Sequence, residues 1–303
     1  MPALPLPSCL TVPTPLPFLP GQTFDLTCSH VVEGDCREVL RALPDGCVDL
    51  IFADPPYFLQ LQKELRRPDR SLVDAVDDDW DQFRDFTEYD TFLRDWLTQC
   101  RRVLKDTGTL WVIGTYHNIH RVGATLQDLG FWLLNSVIWE KNNPTPQFRG
   151  VRFCNAHEEL LWVARSKECA RGYTFNYHEL KAVNGGKQMR SVWRFPICSG
   201  DARKKGGDGK KLHNTEKPLP LLERVLSACT RPGDVVLDPF AGTGTTGEAA
   251  FRLGRRFFLI ERDPTYIEYG VAPRLIRAEL ELAAEEKREG EASRVATQLS
   301  LPL

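Results

Sequence analysis

Val235-Val236-Leu237-Asp238-Pro239-Phe240-Ala241-Gly242-Thr243-Gly244-Thr245-Thr246 is the stretch whose reading decides the fold. Three apolar residues predict a buried strand, the two glycines a tight turn, and residues 245–253 a helix. Gly242 and Gly244 let backbone come close to a ligand, and a helix N-terminus favours a carboxylate or phosphate. No Gly-Lys-Ser/Thr closes the loop, so it is not a phosphate-binding Walker loop. The next apolar run, 257–260, ends on Glu261, 23 residues after Asp238. An acid there is placed to accept hydrogen bonds from ribose hydroxyls, as in dinucleotide sites. The loop alone suits any strand-to-helix turn; with Glu261 it points to a nucleoside-containing cofactor.

Outward from this unit the same alternation repeats. Val48-Asp49-Leu50-Ile51-Phe52-Ala53 is an almost continuous apolar run, which suits a strand buried on both faces of a parallel sheet. Further strands are expected at 31–32, 110–114, 131–139 and 160–164. Helices are expected after Gly34-Asp35, over 92–104, from 115 to 130, over 219–229 and from 264. Strands alternating with helices predict an α/β fold with a mainly parallel sheet.

The strand at 48–53 ends on Asp54-Pro55-Pro56-Tyr57. Two prolines fix the backbone and remove two N–H donors. What remains at the sheet edge is the Asp54 carboxylate, carbonyls that only accept, and an aromatic face. That set suits a planar group with an exocyclic amine: carboxylate and carbonyl take its two N–H bonds and Tyr57 stacks on the ring.

Composition narrows the classes. The chain has 303 residues, 42% hydrophobic and 26% charged, which excludes a disordered, collagen-like or disulfide-stapled chain. The formal charge of −2 argues, on its face, against a nucleic-acid partner. Nine scattered cysteines without a C-x-x-C pair suit reduced thiols in a cytoplasmic protein, and no metal is expected. No apolar run approaches the ~20 residues of a membrane span. Residues 1–22 read as a Pro-rich flexible arm, without the basic start of a secretory signal, and 279–303 as a charged helical tail. The catalytic domain is expected over 23–278.

These residues resemble the β class of amino-group DNA methyltransferases, in which the motif at Asp54 precedes the cofactor loop. The likeness is strongest to the bacterial cell-cycle-regulated N6-adenine methyltransferases that modify GANTC. It runs over roughly residues 24–270 and takes in Asp74-Ala75-Val76-Asp77-Asp78, Trp80-Asp81-Gln82-Phe83, Arg152-Phe153, Asn155-Ala156-His157-Glu158, Tyr173-Thr174-Phe175-Asn176-Tyr177 and Gln188-Met189-Arg190-Ser191. The resemblance implies a Rossmann-like S-adenosylmethionine-dependent fold with a mostly parallel seven-stranded sheet and helices on both faces. It implies Asp54, Pro55, Pro56 and Tyr57 as catalytic. Asp238, Phe240, Gly242, Gly244, Thr245 and Thr246 would shape the methionine side of the cofactor pocket, and Glu261 would hold the ribose. Asp35 and Cys36 match the segment at the cofactor adenine; His213, Thr215 and Lys217 match the segment beside its carboxylate. Phe58 stands where the close relatives have Asn. Those relatives also continue into a C-terminal DNA-binding domain, whereas about thirty residues follow Gly270 here.

The charge is unevenly spread. Segment 141–217 holds sixteen Lys and Arg against seven Asp and Glu, a net of +9, while 71–95 holds nine acids and two arginines, a net of −7. The basic segment is read as an embedded DNA-recognition region, since cations neutralise phosphates and Asn, Gln and Arg read base edges. Expected DNA contacts are Trp80, Lys141, Asn143, Arg149, Arg152, Arg190, Lys204 and Lys205. The partner implied is double-stranded DNA in the bacterial cytoplasm and nucleoid; a homodimer and a cognate restriction endonuclease stay open. The main expectation is N6-adenine methylation. The alternatives are N4-cytosine methylation and a non-catalytic DNA-binding protein with a vestigial pocket.

Overall fold

The computed structural model describes residues 12–59, 81–147, 150–198, 212 and 216–299. Nine strands form one sheet: β1 (Leu16–Pro17), β2 (His30–Glu33), β3 (Val48–Ala53), β4 (Leu104–Gly114), β5 (Trp132–Lys141), β6 (His157–Ala164), β7 (Val192–Phe195), β8 (Val235–Asp238) and β9 (Arg256–Glu261). Their order is β1-β2-β9-β8-β3-β4-β6-β5-β7. Among them only β6 runs against its neighbours, antiparallel to both β4 and β5. The α/β fold is as expected, but the strand count is nine rather than seven.

Both edges of the sheet escaped the sequence reading. β1 lies inside the stretch read as a flexible arm and pairs through Leu16 and Pro17 with Val32 and Glu33. A proline is tolerated there because an edge strand has one side without a partner to serve. β7 has only four residues, alternately exposed and buried, and pairs parallel with β5.

The central strands are apolar on both faces because both faces are covered. Leu50, Phe52, Val236, Phe257 and Leu259 point into one core layer; Ile51, Ala53, Leu237, Phe258 and Ile260 point into the other. α1 (Cys36–Ala42), α2 (Phe86–Val103) and α3 (Ile119–Asp128) cover the second layer through Val39, Leu40, Trp96, Leu97, Val122 and Leu126. α4 (Tyr177–Val183), α5 (Leu219–Cys229), α6 (Thr245–Arg252) and α8 (Ala272–Leu299) lie on the first, through Leu180, Leu222, Val225, Ala249, Ala250 and Leu275. A single turn, α7 (Pro264–Tyr266), and a π-turn precede α8.

α2 begins six residues before the apolar pattern suggested. Asp85 caps it by accepting from Glu88 N at 2.9 Å, and the Glu88 carboxylate reaches back to Arg84 N at 2.7 Å. This reciprocal cap satisfies orphan donors of the first turn and starts the helix among acidic residues.

Candidate active site

β2, β9, β8 and β3 are successive parallel neighbours, so their carboxyl ends open onto one edge of the sheet. An acid stands at each end: Asp35 after β2, Glu261 on β9, Asp238 on β8 and Asp54 after β3. All four line one cavity of about 660 Å³. Cys36, Pro55, Pro56, Tyr57, Lys217, Phe240, Gly242, Thr245 and Thr246 line it too. Gly244 is not part of its wall. It has φ +83°, and a Cβ there would stand 3.1 Å from Val271 Cα, so its work is the turn and close packing.

The loop is held by its acids. Asp238 accepts from Phe240 N (2.9 Å) and from the Thr246 hydroxyl (2.5 Å). Glu261 accepts from Gly242 N (2.7 Å), Arg262 N (2.8 Å) and Asp263 N (2.9 Å). Burial outweighs these donors at both residues and pushes each carboxyl up to about 7. Asp35 caps α1 through Arg37 N at 2.8 Å and pairs with the Arg37 guanidinium at 2.6 Å. Burial alone would raise its carboxyl, but the Arg37 bonds hold it below the ordinary value. Burial raises the Cys36 thiol, which stays neutral.

Around Asp54 the cavity wall is an ion-paired cluster. Asp54 Oδ1 accepts from the Tyr57 hydroxyl at 2.7 Å, and Oδ2 accepts from Lys217 Nζ at 2.6 Å. Glu158, at the start of β6, brings Oε2 within 3.2 Å of the same Tyr57 hydroxyl and 3.7 Å of Lys217 Nζ. Its Oε1 pairs with Lys141 Nζ at 2.8 Å. Two carboxylates and two ammonium groups thus share one buried site. Burial raises Asp54, opposed by Lys217 and reinforced by the Glu158 charge. Glu158 lies below its usual value: burial raises it, but Lys217 and Lys141 prevail. Burial, then the two carboxylates, push the Tyr57 hydroxyl well up.

Three supports of the site were not read from the sequence. The Pro56 carbonyl accepts from the Tyr89 hydroxyl at 2.8 Å, which itself accepts from Asn118 Nδ2 at 3.3 Å. Phe58 has φ +52°, a left-handed conformation that costs a bulky residue about 1–2 kcal/mol. Asp81 holds it there by accepting from Phe58 N (2.6 Å) and Leu59 N (2.8 Å). Asn would tolerate this conformation better. The Phe58 ring packs among Phe83, Phe86 and Tyr89 and is absent from the cavity wall. Asp81→Ala removes two hydrogen bonds to a charged acceptor and should cost about 2–4 kcal/mol, read by denaturant unfolding.

The expected DNA contacts divide. Trp80, Arg149, Lys204 and Lys205 lie outside the described residues, as do His213 and Thr215, expected beside the cofactor carboxylate, and Asp77-Asp78. Arg152 and Arg190 are exposed, and Arg152 donates to the Tyr116 hydroxyl at 3.2 Å. Lys141 departs from expectation: its ammonium is committed to Glu158 and its side chain is 11% exposed. Asn143 is exposed, but its Oδ1 accepts from Ile197 N at 2.8 Å, which steadies the chain after β7. Lys217, expected beside a cofactor carboxylate, lines the cavity with its ammonium on Asp54.

A sheet of this order, with an acid-lined cleft and a Gly-rich loop at its carboxyl edge, defines a class of nucleoside-cofactor enzymes. A family model described as DNA methylase, of the N6/N4 methyltransferase kind, matches residues 48–272. The chain is similar to the type II methyltransferase M.HinfI of Haemophilus influenzae, 51% identical over 238 residues, covering 78% of this chain and 66% of that protein. It thus spans slightly under two thirds of that relative's length. It is also similar to the type II methyltransferase M2.DpnII of Streptococcus pneumoniae, 39% identical over 251 residues, 83% of this chain and 90% of the relative. Among solved structures, a DNA modification methylase of Thermus thermophilus complexed with S-adenosyl-L-methionine superposes with TM-score 0.56 at 26% identity, covering 81% of this chain and 92% of that one. The chain belongs to the N6/N4 DNA methylase family. Among the described residues, no helix is long and apolar enough to cross a membrane.

Proposed function

We propose that this chain transfers a methyl group from S-adenosyl-L-methionine to the exocyclic N6 of an adenine rotated out of double-stranded DNA. The observation that carries this reading is one cavity shared by Asp54 and the loop held by Glu261. The donor set fits the cofactor: a buried carboxylate on β9 for ribose hydroxyls, and a loop whose Gly242 offers no side chain to obstruct it. Glu261, Asp238, Phe240 and Gly242 would hold it, with Asp35 and Cys36 on the side of its adenine. When bound, the cofactor supplies an electrophilic methyl group on sulfur.

The rest of the chemistry belongs to the chain. A base amine is a poor nucleophile because its lone pair is conjugated with the ring. Asp54 and the Pro55 carbonyl accept its two N–H bonds, which favours a tetrahedral nitrogen and stabilises the positive charge that grows on it. Tyr57 offers its ring face for stacking. Orientation of the amine supplies the rest, and no covalent enzyme intermediate is needed. An acid at position 54 favours adenine over cytosine through the resemblance to N6-adenine enzymes. The same resemblance supports GANTC as the site read, activity in the bacterial cytoplasm and nucleoid, and a second copy or cognate endonuclease as partner. Long-read sequencing of DNA from cells with and without the gene reports target base and site together. An unmodified genome in cells holding active protein would overturn the reading.

Cofactor affinity should rise with pH. Ribose hydroxyls donate to an ionised carboxylate, and burial pushes the Glu261 carboxyl up to about 7. Below that value binding must first expel a proton. The dissociation constant should therefore weaken by up to about tenfold per unit as pH falls from 7 to 5.5, and calorimetry should show proton release near pH 6.5. A flat profile would contradict hydroxyl donation to Glu261.

A further inference from the structure

The Asp54 oxygen that faces Lys217 is already in use. Lys217 Nζ lies 2.6 Å from Asp54 Oδ2, and the Tyr57 hydroxyl occupies Oδ1 at 2.7 Å. An incoming amine that needs a strong acceptor on Asp54 must displace one of these donors. Lys217 has a second carboxylate within reach: Glu158 Oε2, 3.7 Å from Nζ and itself in contact with the Tyr57 hydroxyl. Glu158 is buried, is anchored on its other oxygen by Lys141 at 2.8 Å, and opens the one strand that runs against the sheet. It has no part in the transfer chemistry set out above.

We propose that Glu158 is a positioning residue that receives the Lys217 ammonium from Asp54 when the target base enters, freeing Asp54 Oδ2 for the amine. The inference rests on the methyltransferase reading of the site. The exchange moves a hydrogen-bonded cation a short way between two fixed anions, closing a 3.7 Å gap to hydrogen-bond distance, so the buried site stays electrically balanced throughout. Tyr57 can turn its single hydrogen to whichever carboxylate the lysine has left. Lys141 keeps Glu158 ionised and in place.

The test is a double-mutant cycle on the full chain with a DNA substrate. Glu158→Gln keeps the shape and removes the charge, so Lys217 stays on Asp54. Its kcat should fall about ten- to a hundredfold, the range a small misplacement at a reacting centre costs. The dissociation constant for S-adenosyl-L-methionine should stay within twofold. The groups facing Asp54 are Lys217, Tyr57, Glu158 and the more distant Asp238. Losing the Glu158 charge should therefore move the acid limb of kcat to lower pH. In a Lys217→Gln background the same Glu158→Gln change should cost less than about twofold, because no cation remains to be received. Glu158→Asp, which keeps the charge, should restore the wild-type acid limb and serves if the glutamine variant does not fold. Equal losses from Glu158→Gln in both backgrounds, or an acid limb that Glu158→Gln leaves unmoved, would overturn the exchange. A wild-type protein that binds cofactor but methylates no DNA would instead overturn the functional reading beneath it.

Discussion

Asp54→Ala should lower kcat at least about a thousandfold while S-adenosyl-L-methionine still binds. In the proposed transfer the carboxylate stabilises charge on the reacting nitrogen, and the cofactor loop is held by Asp238 and Glu261 without its help. Removing it also strips Lys217 of its 2.6 Å partner on Asp54, while Glu158 stays 3.7 Å from that ammonium. Asp54→Asn separates the two effects: it keeps the side-chain volume and one acceptor, and should retain a slow residual rate of about a hundredth of wild type. Single-turnover methylation with tritiated cofactor, alongside calorimetric binding, measures both variants. Near-normal turnover in Asp54→Ala would remove the carboxylate from the mechanism.

The second large effect is on folding. Arg274 on α8 is 4% exposed and ties three segments together. It donates to the Thr243 carbonyl of the cofactor loop at 2.8 Å, to Glu248 on α6 at 2.7 Å, and to Glu216, the residue before Lys217. Glu248 and Glu216 are as buried as the arginine itself. Arg274→Ala takes the guanidinium from both buried carboxylates, leaves Glu248 its pair with Arg252 at 2.9 Å, and should cost about 3 kcal/mol. Guanidinium unfolding measures it. Arg274→Lys should recover only part, because an ammonium lacks the planar fork that reaches three acceptors at once. A loss under about 1 kcal/mol would show that water or neighbouring arginines take over.

The layers were legible where a single segment carries its own signal. β3, β8 and β9 are apolar on both faces, and the loop after β8 combines glycines with a helix start, so strand ends and their acids could be placed from the chain alone. What surrounds them could not. Tyr57 and Glu158 are 101 positions apart, Asp54 and Lys217 163, and only the sheet order joins them. Glu158 did leave a trace, as an acid opening the apolar run of β6, but that trace reads equally as a solvated strand end. Lys141 looked like a phosphate contact because composition counts a cation without its partner. Phe58 gave no sign of its left-handed backbone, since the cause, Asp81, lies 22 to 23 positions away from the amides it holds. β7 and α4 were missed because each is short and draws its stability from neighbours rather than from its own pattern.

The reversed direction of β6 has a consequence for how such proteins diversify. In a parallel sheet each strand offers its end to the ligand edge; β6 offers its beginning, so the two roots of the β5–β6 hairpin, Lys141 and His157, both stand at that edge. Hairpin tips accept insertions and replacements without disturbing the register of the strands beneath. The tip of this hairpin is thus the part most readily exchanged, while Glu158 and Lys141, paired at 2.8 Å near its two roots, hold the cavity wall in order. A change at the tip can thus leave the acid-lined cleft untouched.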